Sequence, residues 1–152
     1  FDDQPVQSIG AIAIDPSNTK NIWVGSGESW TRNSVSVGNG VYRSTDAGET
    51  WQPMGLPESE RISKILVHPK DGNTVFVCAP GKLWSDSAER GLYKTTDGGK
   101  SWTKALAGSN LSTGCSDPEM DPATPEVLFA SLWDFRRQGW TFRSGGNGEK
   151  PS

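Results

Sequence analysis

Apolar positions come in short bursts bounded by turn residues, a pattern that predicts brief strands. An alternating segment at 9–14 ends at Asp15-Pro16, and a similar one at 62–67 ends at His68-Pro69. Second strands of apolar-run type follow at 21–25, 74–78 and 127–131. After a long polar loop, third strands at 41–44 and 92–95 enter tight turns. Fourth strands then open with Trp51 and Trp102.

The pattern repeats. Residues 8–16 align with 61–69 at a shift of 53 (68 − 15), and Asp121-Pro122 follows after another 53 (121 − 68). The same shift carries Trp23 onto Phe76 and Phe129. A shift of 51 (93 − 42) carries Gly40-Val41-Tyr42-Arg43-Ser44-Thr45-Asp46 onto Gly91-Leu92-Tyr93-Lys94-Thr95-Thr96-Asp97, and Trp51 onto Trp102. A unit of roughly 50 residues with four strands, unable to cover both of its faces alone, is the signature of a β-propeller blade. The expected fold is all-β: four-stranded antiparallel blades at about 8–55 and 61–106, then a partial third at about 112–152. Such an arc leaves edge strands and a blade face bare, so a larger propeller or self-association is expected to cover them.

Composition narrows the function. Lys+Arg 15 against Asp+Glu 18 gives a net charge of −3, which argues against a phosphate-tracking surface, and nucleic acid is not an expected partner. No apolar run approaches the roughly 18 residues of a membrane helix. Seven tryptophans supply apolar area for a core despite few other large apolar residues. With one histidine and two cysteines, a Cys/His metal cluster is not expected, nor is any cofactor. Cys115 reads as a small core residue with Cys78 in reach from the neighbouring blade, and two thiols are preferred here over a disulfide. The start, Phe1-Asp2-Asp3, carries no leader pattern, so compartment must be inferred otherwise.

Residues 44–51 and 95–102 both fit Ser/Thr-x-Asp-x-Gly-x-Thr/Ser-Trp. The carboxylates of Asp46 and Asp97 can accept turn N–H groups, Gly48 and Gly99 permit positive φ, the hydroxyls bond back, and Trp51 and Trp102 pack under the hairpins. On these residues the chain resembles the Asp-box (bacterial neuraminidase repeat) propellers. Further segments, including Gly25-Ser26-Gly27-Glu28, 32–38, 89–99 and 135–146, resemble secreted glycosyl hydrolase-like and sortilin-like (Vps10-type) repeat proteins. The resemblance implies structural turns without catalysis, a chain cut from a longer protein, and a secreted or periplasmic setting.

In a four-stranded blade the first and third turns share one rim and the long second loops share the other. Loops 26–39, 80–90 and 133–141 therefore gather on one rim, where function is expected. They carry the candidate ligand residues Trp30, Arg32, Asn33, Trp84, Arg90, Arg136 and Trp140, since Trp and Arg concentrate in binding centres. Trp84 and Trp133 also suit a structural role roofing the blades. Candidate catalytic carboxylates are Glu28, Glu89 and Asp134, with Asp86 and Asp117 beside them, and no spacing selects a pair. His68 reads as a turn residue, and Tyr42 and Tyr93 as packed strand residues. Asp15 and Asp71 sit in acidic turns that could hold calcium but read as turns, and Asn110-Leu111-Ser112 is a formal glycosylation sequon. The sequence therefore favours an extracytoplasmic module that binds carbohydrate or peptide. The alternatives are a glycoside hydrolase fragment and a structural assembly factor.

Overall fold

A computed structural model of the chain describes residues 1–139. Strands β1 (Ile9–Ile14), β2 (Ile22–Ser26), β3 (Val41–Ser44) and β4 (Gln52–Pro53) form one antiparallel sheet in chain order. Strands β5 (Lys64–His68), β6 (Asp71–Ala79), β7 (Gly91–Thr95) and β8 (Thr103–Leu106) form a second. Strands β9 (Thr113–Met120) and β10 (Leu128–Asp134) pair as a third. The fold is all-β, a segment of a propeller with four-stranded blades; its only helical piece among the described residues is the 3-10 turn Pro57–Ser59.

The central blade explains the pattern of burial. In β6, Val75, Phe76, Val77, Cys78 and Ala79 are all buried, because this sheet has a neighbour on each side. On one side Val75, Val77 and Tyr93 pack with Trp23, Val41 and Ile62; on the other Phe76, Cys78 and Leu92 pack with Cys115, Leu128 and Leu132. The outer sheets alternate instead. Leu128, Ala130 and Leu132 of β10 turn inward while Phe129 and Trp133 face out. In β1 the small Ala11 and Ala13 pack inward, and the larger Ile12 and Ile14 are exposed.

Small residues are needed where the blades meet. A Cβ on Gly25 would fall 2.3 Å from the side chain of Ile62, which wedges between the first two blades. The Ile62 N–H donates to Ser26 O of the first blade, so β5 begins two residues later than the apolar pattern predicts. His68 closes β5 and pairs with Asp71 across Pro69-Lys70, so it flanks the turn from within the strand.

The two Ser/Thr-x-Asp-x-Gly-x-Thr/Ser-Trp turns are nearly superimposable networks. Asp46 Oδ1 accepts from Thr50 N at 2.9 Å and from the Ser44 hydroxyl at 2.7 Å, and Asp97 Oδ1 accepts from Ser101 N at 3.0 Å and the Thr95 hydroxyl at 2.7 Å. The hydroxyls of Ser44 and Thr95 in turn accept from Gly48 N and Gly99 N. The tryptophans differ. Trp51 Nε1 bonds Gly48 O within its own turn, whereas Trp102 Nε1 reaches Met54 O in the first blade at 2.6 Å and its ring meets Trp23 edge-on. Arg43 lies over Trp23 and donates to Gly98 O, so the second turn is strapped to the first blade.

The preference for thiols is corrected by the packing. Cys78 of β6 and Cys115 of β9 form a disulfide with Cα atoms 5.2 Å apart, both side chains fully buried between the second and third sheets. The sequence signals a facing pair but not that the blades approach closely enough for covalent contact.

The disulfide closes a separation of 37 residues, so Cys78→Ala with Cys115→Ala is expected to lower stability by roughly 3 to 4 kcal/mol in the chain-entropy account. Urea unfolding checks this; a loss below about 1 kcal/mol would contradict it. The turn carboxylates set a second expectation. Hydrogen bonds from Thr50 and Ser44 hold Asp46 down to about 2, and those from Ser101 and Thr95 lower Asp97 likewise. Their folded values lie below the unfolded value of about 3.9, so their stabilisation is present above pH 4 and lost as pH falls toward 2. Between pH 4.5 and 2.5 the Asp46→Asn, Asp97→Asn variant should lose less stability than the parent; equal slopes would refute the linkage.

Candidate functional site

A groove of about 500 Å³ crosses all three sheets on the rim of the long loops. Ser29, Trp30 and Thr31 come from the β2–β3 loop, Ser63 precedes β5, Ser116 and Asp117 lie on β9, Trp133 lies near the end of β10 and Phe135 just follows it. Local backbone chemistry builds each wall. Gly27, at φ 90°, lies so close to the second blade that a Cβ there would sit 2.0 Å from Glu60 O. Gly27 N donates to Ser8 O and Gly38 N to Glu60 O, which fixes both ends of the loop. Within it Glu28 N bonds Ser36 O, and the Glu28 carboxylate accepts from Ser36 N and pairs with Arg32. The stapled loop holds Trp30 in solvent at 78% exposure.

The opposite wall belongs to the third sheet. Trp133 is the outward residue of β10, 45% exposed, and its ring meets Phe135 at 5.1 Å between centroids. The sequence reading placed Trp133 and Asp134 in a loop, but β10 continues through both, pairing Trp133 with Gly114 and Asp134 with Thr113. Asp117 Oδ1 accepts from Lys64 Nζ at 2.8 Å, and the same ammonium contacts Glu119. Burial depresses the Lys64 ammonium, but bonds from the two carboxylates outweigh this and hold it above its ordinary value. The Ser63 hydroxyl donates to Ser116 O, linking the two sheets at the floor.

Of the candidate ligand residues, Trp30 lines this groove. Arg32 is held by Glu28, and Asn33 is exposed on the same loop. Trp84, half exposed, lies on the β6–β7 loop under the Arg137 guanidinium. Arg136 pairs with Asp86 at 2.7 Å. Arg90 is 2% exposed and its guanidinium donates to the carbonyls of Pro80, Lys82, Ser85 and Leu111, so it organises the loop from inside. Trp140 lies outside the described residues. Among the carboxylates, Glu28 is engaged as above, Glu89 Oε2 accepts from Tyr93 OH, and Asp134 Oδ1 is buried without a partner. Among the described residues, none of these three lines the groove that Asp117 borders.

Buried charge collects beneath the rim. Arg61 is wholly buried; burial and the neighbouring Arg90 push its guanidinium down to about 10, against the opposing pull of Glu60. It donates through Nε to Gly81 O and lies over the Phe135 ring at 5.8 Å. Burial, then Glu89, raises Tyr93 well above an ordinary phenol. The carboxylates of Asp15 and Asp71 are occupied by turn donors: Ser17 and Asn21 for the first, Asn73 and Thr74 for the second. Among the described residues no three His, Cys, Asp or Glu side chains gather as a metal site, and no helix is long and apolar enough to cross a membrane.

Sequence reasoning passed over Ser63, Ser116 and Phe135. The repeat carried a signal for the serines, because positions 10, 63 and 116 are equivalent at the shift of 53 and the hydroxyl appears only where blade 1 has Gly10.

Among the described residues, the groove offers two exposed indole faces, a phenyl ring, hydroxyls at four positions and one carboxylate. It is a surface for stacking and hydrogen bonding.

Comparison with known proteins gives the relations of this fold. The family model Sortilin-Vps10, described as "Sortilin, neurotensin receptor 3", matches residues 14–143. The chain is 26% identical over 129 residues to a xyloglucanase of Paenibacillus sp, covering 78% of this chain and 12% of that protein. It is 29% identical over 122 residues to a xyloglucanase of Hypocrea jecorina, 72% of this chain and 13% of that protein. To the vacuolar protein sorting/targeting protein 10 of Mycosarcoma maydis it is 31% identical over 78 residues, 51% of this chain and 5% of the other. The crystal structure of an ancestral GH74 enzyme superposes with a TM-score of 0.63 at 22% identity, over 86% of this chain and 17% of that one. That of the Niastella koreensis GH74 enzyme gives 0.52 at 16%, over 85% and 26%. These two likenesses concern the fold. The chain thus spans a small part of each relative's length. With the family match running from β1 to beyond β10, the chain belongs to the Sortilin-Vps10 family.

Proposed function

We propose that this chain is an extracytoplasmic recognition segment of a larger Asp-box propeller, and that it binds carbohydrate through the groove between Trp30 and Trp133. The observation that carries this reading is the pair of exposed tryptophans on opposite walls of one cavity, with hydroxyls between them. Indole faces stack on the apolar faces of sugar rings, and hydroxyls match sugar hydroxyls. Relatives called xyloglucanases support a glucan as the ligand class. A buried disulfide suits an oxidising compartment outside the cytoplasm. The exposed Ile12 and Ile14 on one outer sheet and Phe129 on the other suit coverage by further blades.

The same relatives favour a second reading, in which the segment contributes to a glycoside hydrolase. Such an enzyme needs two carboxyls roughly 5 to 9.5 Å apart, and Asp117 alone lines the groove among the described residues. The second carboxylate would come from the rest of the longer protein.

Calorimetric titration with xyloglucan oligosaccharides tests the first reading. Binding is expected, and Trp30→Ala should weaken it about tenfold or more, the cost of removing a central aromatic contact. Binding indifferent to Trp30→Ala, or binding of peptides alone, would overturn it. Release of reducing sugar by the longer protein, abolished by Asp117→Asn, would establish the second.

A further inference from the structure

We propose that the groove selects an amino sugar, a pyranose bearing a protonated amine, over its neutral or acidic counterparts, with Asp117 as the selecting residue. This rests on the carbohydrate reading above and adds a charge to it. The argument begins with the charges that border the cavity. Among the described residues, Asp117 is the one charged side chain lining it, and its carboxylate is largely exposed. Among the described residues its side chain is bonded only by Lys64, through Oδ1, which leaves Oδ2 without a protein partner. Lys64 is shared with Glu119, so the three groups together keep one negative charge.

Among the described residues, no lysine or arginine lines the groove to offset it. Arg32, on the loop that carries Trp30, is paired with Glu28, and Arg136 is paired with Asp86. Arg90 is buried and fully engaged by carbonyls. Arg61, whose Nη1 and Nη2 are buried without a partner among the described residues, lies over the Phe135 ring, fully buried and outside the described lining of the groove. An acidic sugar would therefore meet a carboxylate with no cation in the described lining. An ammonium gains twice: a charge-assisted hydrogen bond to Asp117 and the attraction of a cation to an indole face, from Trp30 or Trp133. The hydroxyls of Ser29, Thr31, Ser63 and Ser116 serve the rest of the ring in either case.

The test uses β-1,4-linked oligomers of equal length built from glucose, from glucosamine held at a pH where its amine is protonated, and from N-acetylglucosamine. At low salt the glucosamine oligomer should bind about fivefold tighter than the other two, the scale of one exposed ion pair. Asp117→Asn should abolish that preference, bringing the glucosamine oligomer to within about twofold of the other two in the same variant. Glu119→Gln, which frees Lys64 to neutralise Asp117, should reduce the preference as well. Salt near 1 M should also erase it. Trp30→Ala should weaken all three ligands together. Equal affinity for the three oligomers, or a preference that survives Asp117→Asn, would sink this inference and leave the carbohydrate reading standing. Failure of every oligomer to bind would sink both, as would binding of oligolysine through Trp30 and Asp117 without any sugar binding.

Discussion

A four-stranded sheet with two apolar faces has to be covered twice, and everything in this chain follows from how the second blade meets that demand. Its central strand is apolar on both sides, so neither face can be left in water without losing the main driving force for folding. The first blade answers with small residues and a wedge: Gly25 and Ala13 recede, and Ile62 fills the space. The third sheet answers with Leu128, Ala130 and Leu132 and fixes the contact covalently. Turns, loops and groove are arranged around these two contacts.

The recurrence of the fold was legible because a propeller repeats its local chemistry. Asp-Pro and His-Pro corners, paired carboxylate turns and equivalent aromatic positions at 23, 76 and 129 all recur at nearly fixed shifts. What was not legible was the distance between blades. The Cys78–Cys115 bond depends on how closely two sheets stack, a property of side-chain volumes at Leu66, Leu92 and Leu132 that no local pattern encodes. The same limit explains Trp133: an alternating strand and the beginning of a loop share one composition, and only pairing with Gly114 decides between them.

The arginines show a different limit. On the sequence, Arg32, Arg90 and Arg136 on the long loops look like a binding surface, because Arg is common in recognition centres. In the fold most of that charge is spent on structure. Arg90 gathers four carbonyls of its own loop, Arg43 straps a turn to the neighbouring blade, and Arg32 and Arg136 close ion pairs. A guanidinium has five donors, and a long irregular loop presents many carbonyls with no ladder to accept from. Buried arginine is therefore an economical way to order such loops, and its side-chain type alone does not distinguish that task from ligand contact. Tryptophan is easier to read when a stapled loop holds it in solvent, as at Trp30, since no core demand accounts for it there.

The groove's placement has a further physical consequence. Its walls come from three sheets, and no single blade contains more than part of it, so its width is set by the two contacts between blades rather than by any loop. Ser116 and Asp117 follow Cys115 directly on β9, and Ser63 follows Ile62. The residues that fix blade spacing are thus next in sequence to those that line the cavity, on strands where alternate side chains point to opposite sides. A change in packing at Ile62 or at the disulfide must displace the groove's floor by a comparable amount, because no flexible segment lies between them. Stability of the blade interfaces and geometry of the site are in this way one property of the same few strands.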